Sequence, residues 1–129
     1  MIFGIGTDIV RVARMDEALA RHGSRFAHRI LTEEEYREFC LAGRPAHFLA
    51  KRFAAKEAAA KAMGTGFRDG MSLRHIGVAH DDKGRPSLVY HGRAEQLRRD
   101  LGIGEGRLSL ADERDYAVAF VILLVISPA

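Results

Sequence analysis

Residues 46–63 constrain the fold of this chain more strongly than any other segment. The segment is rich in alanine, contains neither glycine nor proline, and is followed directly by Gly64. Alanine has the highest intrinsic helix propensity, and a glycine just after a helix commonly forms its C-cap. The segment therefore predicts a helix of about five turns that ends at Gly64. Because 129 residues are the size of one domain, we expect a single domain, residues 1–129, built around this helix.

Segments rich in valine and isoleucine predict strands before and after the long helix. Residues 2–10 and the apolar run 116–126 are the clearest of them, since β-branched residues favour strands. The turn sequences at 81–84 and 112–115 predict two hairpins. The fold class that we expect is α+β, with the long helix packed on an antiparallel β-sheet.

Shorter helical segments complete the predicted fold. One of them opens at Thr32, which stands three residues before Glu35 in the spacing of a capping box. Glycines at 23 and 102 end two of the others. The predicted short helices cover residues 12–22, 24–31, 32–41 and 93–101.

The composition excludes several classes of protein. The eleven apolar residues 116–126 are too few for a membrane-spanning helix, which needs about 20 residues. Asp8 interrupts the apolar N-terminal segment and no basic residue precedes it, so we expect no signal peptide. Cys40 is the single cysteine, which excludes an internal disulfide and zinc sites built on cysteine pairs. We therefore expect a cytoplasmic protein that binds no membrane.

Three charged side chains of the long helix lie on or beside its predicted apolar side. At about 100° per residue, one stripe is formed by Leu49, Phe53, Ala60 and Met63. Lys56 lies within this stripe, and Glu57 and Lys61 lie at its edge. A buried ammonium is costly unless it reaches a partner or the surface. The simplest interpretation is that Lys56 extends to solvent and that Glu57 pairs with Lys61, four residues later.

Asp8 stands between Ile5 and Ile9 in an otherwise apolar predicted strand. A carboxylate in such a place needs a hydrogen-bond donor, a cation or a metal ion. One interpretation is an aspartate at a strand end that accepts from backbone amides. The other is that Asp8 and Glu57 meet in the fold, because two carboxylates from different elements suit Mg²⁺, which takes further ligands from water and substrate phosphates. The residues themselves leave both interpretations open.

Arginines recur near the N-terminus. In one continuous helix, an arc of about 80° would contain Arg11, Arg14, Arg21, Arg25 and Arg29, although Gly23 interrupts the segment. They form either a solvated face or a docking surface for an acidic partner. The net charge is only +3, and no RNA-binding motif or aromatic stacking platform accompanies the arginines, so we expect no nucleic-acid partner.

Several segments, in order along nearly the whole chain, resemble the holo-[acyl-carrier-protein] synthases, the small bacterial branch of the 4′-phosphopantetheinyl transferases. The segments are GIGTDIVRVARM, FAHRILTEEE, FLAKRFAAKEAAAKAMGTG, DDKGRP and LSLADERDYAVA. The resemblance implies transfer of the 4′-phosphopantetheine arm of coenzyme A to a serine of apo acyl carrier protein, with release of adenosine 3′,5′-bisphosphate, in fatty acid biosynthesis. It also implies the fold of that family, Mg²⁺ as the cofactor, and a homotrimer with active sites at its subunit interfaces.

The same resemblance implies roles for individual residues. Asp8 and Glu57 correspond to the magnesium ligands, and Glu57 and Lys61 to catalytic positions. Arg14 and Arg21 correspond to residues that dock the acidic helix of the carrier protein. The coenzyme A site would include Arg52, Lys61, Gly64, Thr65 and Pro86. The general base stays open between Glu57 and a water molecule on the metal.

One position departs from the family pattern, and two other functions remain open. Many relatives have a histidine where this chain has Asp112, and an aspartate cannot bind a phosphate directly, so Asp112 is left out of the predicted site. A basic adaptor for acidic proteins or nucleic acid would explain the arginines. A Mg²⁺-dependent nucleotide phosphohydrolase would explain the carboxylates, although the chain has no P-loop.

Overall fold

The computed structural model describes residues 1–127, which form five strands and five α-helices. In chain order the elements are β1 (Ile2–Arg11), α1 (Val12–His22), α2 (Ser24–Ile30), α3 (Glu33–Cys40), α4 (Pro45–Met63), a 3₁₀ turn (Leu73–His75), β2 (Ile76–His80), β3 (Pro86–Tyr90), α5 (Gly92–Leu101), β4 (Ile103–Asp112) and β5 (Tyr116–Val125). One antiparallel sheet has the strand order β1-β5-β4, and β2 and β3 form a separate antiparallel hairpin. The α+β prediction is confirmed.

Helix α4 is the central element, as predicted, and packs mainly against β1 and β5. It begins at Pro45, one residue before the predicted start, because proline is favoured at the first helical position. It ends at Gly64, whose φ of 81° is the left-handed conformation of a glycine C-cap. Twelve of its 19 residues are buried, so the predicted apolar stripe is too narrow. Small alanine side chains let neighbouring elements cover the helix on most sides.

Two glycines of β1 let the strand lie directly on α4. A Cβ atom on Gly6 would stand 1.9 Å from the backbone oxygen of Ala58, and one on Gly4 would stand 2.0 Å from that of Ala62. Both distances are far shorter than a van der Waals contact, so only glycine allows this approach. Alternate residues of a strand share a face, so Asp8 lies on the same helix-facing side as these two glycines.

The shorter helices follow their predicted bounds closely. Thr32 and Glu35 form the predicted capping box, with each side chain accepting from the backbone of the other residue. Gly23 separates α1 from α2 with a φ of 59°, so the N-terminal arginines do not share one continuous helix. None of the helices in the described part of the chain is long and apolar enough to span a bilayer.

Strand β5 is buried on one face only. The helix-facing residues Ala117, Ala119, Val121 and Leu123 have no exposed surface. The opposite face of the sheet leaves Phe120 44% exposed, and Ile5 and Ile9 of β1 are 58% and 63% exposed. The apolar run was predicted to be a buried strand; the strand is confirmed, but half of its side chains stay uncovered within one chain.

Candidate active site

Asp8 of β1 and Lys61 of α4 are in contact. Asp8 lies on the edge strand β1 and pairs with Ala119 of the central strand β5. The glycines before Asp8 bring this part of β1 onto the last turns of α4. The Lys61 ammonium donates to Oδ1 of Asp8 and to the backbone oxygen of Thr7, each at 3.1 Å. The Asp8 carboxylate is mostly buried, whereas Lys61 is about half exposed. The structure therefore brings together two residues that are 53 positions apart in sequence.

Glu57, one turn before Lys61 on α4, lies close enough to feel the same charges. Its pKa is raised above the ordinary value of a glutamate, first by burial and then by the negative charge of Asp8. Lys61 and Arg14 act in the opposite direction and lower it. The negative charge of Asp8 therefore acts on Glu57. The simplest interpretation of the sequence paired Lys61 with Glu57, whereas in the structure Lys61 pairs with Asp8. We call Asp8 and Glu57 the carboxylate pair.

The donors of the carboxylate pair fit a magnesium ion. Both carboxylates offer hard oxygen ligands, one from a strand and one from a helix. A divalent cation between them would oppose the two causes that raise the pKa of Glu57, which are its burial and then the charge of Asp8. Among residues 1–127, no group of three or more histidine, cysteine, aspartate or glutamate side chains is arranged to hold a metal. The metal prediction therefore concerns this pair alone.

Arg14 and Arg21 lie on one surface of α1. Together with Arg29 and Phe26 they line a shallow hollow of about 260 Å³ between α1 and α2. The Arg14 guanidinium stacks 5.2 Å from the centre of the Phe53 ring on α4, and its charge reaches Glu57. The two predicted docking residues thus line one hollow, and Arg14 connects this hollow to the predicted reaction centre. Arg11 and Arg25 do not line this hollow.

Lys56 does not extend to solvent, and that prediction is wrong. Its side chain has no exposed surface, and its ammonium donates to Glu35 at 2.6 Å and to the backbone oxygens of Leu73 and Ile76. Burial lowers the pKa of Lys56, and the Glu35 carboxylate opposes that shift. The position of Lys56 in an apolar stripe already indicates a buried lysine that needs a partner. In the structure that partner is Glu35.

Arg52 belongs to the same buried group. It is 5% exposed, pairs with Glu38 at 2.9 Å and with Glu35 at 3.5 Å, and stacks 4.4 Å from the centre of the Phe48 ring. We call Lys56, Glu35 and Arg52 the buried network. The guanidinium that is predicted to line the coenzyme A site is therefore buried, between the buried carboxylate of Glu35 and the half-exposed carboxylate of Glu38.

Gly64 and Thr65 lie at the end of α4, one turn beyond Lys61. The Gly64 amide donates to the backbone oxygen of Lys61 at 3.0 Å, and the Gly66 amide donates to that of Ala60 at 3.2 Å. The Thr65 hydroxyl donates to the backbone oxygen of Gly66. A Cβ on Gly64 would have no neighbour within 4 Å. This turn therefore has open space at Gly64, just beyond the end of α4.

Pro86 is the first residue of β3, in the hairpin that lies beside strand β4. It lines a hollow of about 300 Å³ with Lys51, His80 and Asp112, which we call the Pro86 hollow. Lys51 and Asp112 form a loose ion pair of 3.8 Å. Burial, followed by the charge of Arg52, lowers the pKa of His80. Sequence reasoning assigned no role to Lys51 or His80, because no motif marks either residue.

Comparisons with known proteins agree with the predicted family. The profile of the 4′-phosphopantetheinyl transferase superfamily matches residues 4–121. The chain is 60% identical over 124 residues to a holo-[acyl-carrier-protein] synthase of Nitrosococcus oceani, covering 96% of this chain and 80% of that protein. Its fold matches the crystal structure of the corresponding synthase of Neisseria meningitidis with a TM-score of 0.90 and 50% identity, covering 96% and 99% of the two chains. It also matches a Bacillus anthracis synthase in complex with coenzyme A (3′,5′-ADP), with a TM-score of 0.80 and 36% identity, covering 98% and 99%.

Proposed function

The chain belongs to the 4′-phosphopantetheinyl transferase superfamily, and from that premise we propose how its residues carry out the reaction of a holo-[acyl-carrier-protein] synthase. It transfers the 4′-phosphopantetheine arm of coenzyme A to a serine of apo acyl carrier protein. The serine oxygen forms a bond to the phosphorus that carries pantetheine. The bond from that phosphorus to the bridging oxygen breaks, and adenosine 3′,5′-bisphosphate leaves. The observation that carries the residue assignment is the contact of Lys61 with Asp8 beside Glu57.

The carboxylate pair would hold Mg²⁺, which when bound neutralises the pyrophosphate and the charge that develops on its oxygens. Lys61 supplies a positive charge next to the pair and would stabilise the leaving phosphate. The serine proton would pass to a carboxylate oxygen of Glu57, which acts as the general base one turn before Lys61 on α4. Asp8 accepts a hydrogen bond from Lys61 and so holds the ammonium beside the carboxylate pair.

Coenzyme A would lie along the remaining predicted residues. Gly64 and Thr65 form the open turn at the end of α4, where backbone can approach a phosphate closely. Pro86 would contact the adenosine from its hollow. Arg52 would contribute the positive charge of its guanidinium from inside the protein, within the buried network, without reaching the surface.

We further propose a homotrimer in which neighbouring copies share each active site. Ile5, Ile9, Val118 and Phe120 leave an apolar face on the sheet, and such a face is typical of an interface between subunits. The carboxylate pair adjoins β1 and the Pro86 hollow adjoins β4, at opposite edges of the sheet. Lys51 and Lys61 are about 15 Å apart along α4, so the hollow and the carboxylate pair are separate regions on one chain. In the proposed trimer, the hollow of one copy would serve the carboxylate pair of the next.

Cellular context follows from the same proposal. The Cys40 thiol is exposed and free, as is usual in a reducing compartment. We place the enzyme in the cytoplasm, where it would activate the carrier protein of fatty acid biosynthesis.

The transfer reaction tests the proposed function directly. The protein is incubated with coenzyme A, Mg²⁺ and an apo acyl carrier protein, and the carrier is weighed by mass spectrometry. We expect the carrier to gain the mass of one phosphopantetheine arm and EDTA to prevent the gain, since the carboxylate pair needs its metal. Mass gain that persists in EDTA would contradict the metal role. A carrier that stays unmodified in every condition would contradict the transfer itself.

Reversing the charge of Arg14 and Arg21 tests the docking surface. The variant Arg14→Glu/Arg21→Glu should raise the KM for the carrier protein about tenfold or more, because two favourable contacts with an acidic helix become repulsive. The KM for coenzyme A should stay within about twofold. Because Arg14 also borders Glu57, Arg21→Glu alone should raise the KM for carrier without changing kcat.

A matched control separates docking from net charge. Arg37→Glu/Arg99→Glu makes the same change in charge on two exposed positions of α3 and α5 and should leave both KM values unchanged. If the control weakened carrier binding as much as the first variant, the effect would belong to overall charge. If coenzyme A affinity fell instead, the two N-terminal arginines would belong to the nucleotide site.

A further inference from the structure

Within the buried network, Lys56 and Glu35 form a charged pair that the proposed mechanism does not use. Lys56 has no exposed surface and Glu35 is 1% exposed. All three protons of the Lys56 ammonium are donated, to Oε1 of Glu35 and to the backbone oxygens of Leu73 and Ile76. Glu35 in turn accepts from the amides of Thr32 and Val78. Every strong partner of this ion pair is therefore inside the protein.

Stability alone does not explain why these charges are buried. Taking an ammonium and a carboxylate out of water costs free energy that their attraction only roughly offsets, and apolar residues of similar volume are often at least as stabilising. Directional hydrogen bonds, unlike apolar contacts, fix the relative position of the groups that they join.

The network joins α4 to the hairpin of β2 and β3. Lys56 is bonded to the backbone of Ile76 and Glu35 to that of Val78, both on β2. Strand β2 pairs with β3, and the last pair of that register is His80 with Pro86. Thus the two charged side chains hold, through two backbone bonds, the strand that carries the Pro86 hollow.

The network also sits on the helix that carries the reaction centre. Arg52 and Lys56 are one turn apart and face the hairpin, whereas Glu57 and Lys61 are one turn apart and face β1. Lys56 and Glu57 are consecutive residues. A rotation of α4 that displaced Lys56 from Glu35 would therefore turn Glu57 relative to Asp8 as well.

We propose that Lys56 and Glu35 are positioning residues for coenzyme A: they fix the β2–β3 hairpin and Arg52 on α4, and so set the shape of the nucleotide half of the site. This inference rests on the proposed function, because it takes the Pro86 hollow as the place where the nucleotide binds and Arg52 as a charge beneath it. Neither Lys56 nor Glu35 touches the substrate. The carrier-docking surface, on α1 and α2, is not attached to the hairpin by these bonds.

The variant Lys56→Met tests the proposal by separating two KM values. Met matches the length of the lysine stem without its charge, so the helix can stay packed while the bonds to Glu35 and Ile76 are lost. We expect the KM for coenzyme A to rise about ten- to a hundredfold, as for other small displacements of binding groups, and the KM for carrier to stay within about twofold. The double variant Lys56→Met/Glu35→Gln removes both charges while keeping an acceptor for Val78, and it should show the same raised KM for coenzyme A.

A stability control decides between positioning and simple destabilisation. Leu123→Ala removes a fully buried side chain of β5 and should lower the unfolding temperature, yet leave the KM for coenzyme A unchanged well below that temperature. A wild-type KM for coenzyme A in folded Lys56→Met would overturn the proposal. So would an equal rise in both KM values, or failure of both network variants to fold. The wild-type chain measured alongside tests the function separately, since absence of transfer by wild type contradicts the function and not the positioning role.

Discussion

Replacing Asp8 by asparagine, or Glu57 by glutamine, is expected to lower kcat about a thousandfold or more while the protein stays folded. A metal ion contributes several kcal/mol of transition-state stabilisation, and each factor of ten in rate corresponds to about 1.36 kcal/mol. Both replacements keep the shape of the side chain and remove its charge. The measurement is single-turnover transfer to the carrier protein, with circular dichroism to confirm folding.

The outcome for folding differs between the two sites. Glu57→Gln removes a carboxylate whose pKa is raised by burial and by Asp8, so its loss relieves repulsion in the metal-free protein and should not destabilise it. Asp8→Asn removes the partner of an exposed lysine, a loss that is small in solvent. Asp100→Asn, on an exposed position of α5, serves as the control and should keep wild-type kcat. Full activity of either site variant would rule out the carboxylate pair as the metal site.

The bounds of the main helix could be predicted because they depend on local chemistry. Alanine content, the absence of glycine and proline, and Gly64 all act within a few residues of each other, and the observed α4 differs by one residue at its start. The capping box at Thr32 is local in the same sense and is confirmed. These features need no knowledge of what the helix packs against.

For residues whose partners lie in distant segments, the sequence predicts that a partner is required but does not identify it. Asp8 required a cation or a donor, and Lys61 supplies it from 53 residues away; Lys56 required a partner or the surface, and the choice of the surface was wrong. The partner, Glu35, lies on a short helix whose register against α4 no local pattern reports. A charged residue on an apolar helix face therefore predicts a buried ion pair, whereas the identity of its partner depends on tertiary packing.

One face of the three-stranded sheet stays exposed, which the sequence of β5 did not predict. A uniformly apolar strand predicts burial on both faces, and β5 is buried on one face only. The opposite face stays exposed within residues 1–127, with Phe120 at 44%. This exposed apolar face is the one that the proposed homotrimer would cover.

The contact of β1 with α4 should fail if Gly6 is changed to alanine. The added Cβ would stand 1.9 Å from the backbone oxygen of Ala58, so strand and helix must move apart rather than one side chain turn aside. We expect the free energy of unfolding to fall by about 3 kcal/mol or more, at or above the upper end for overpacked cores. We also expect a loss of kcat in the molecules that fold, because Asp8 leaves Lys61. Urea unfolding and the transfer assay measure the two effects.

Gly43→Ala is the matched control for this substitution. A Cβ on Gly43 would meet no atom within 4 Å, and its φ lies outside the left-handed region, so the exchange should leave stability unchanged or slightly raise it through the smaller entropy of the unfolded chain. If Gly6→Ala were as stable and active as Gly43→Ala, the close approach of β1 to α4 would not be what holds Asp8 at Lys61. If it were stable but inactive, the strand would have moved without unfolding, and the position of Asp8 alone would account for the lost rate. The pair of glycine variants therefore separates the fold of this strand from the chemistry that it positions.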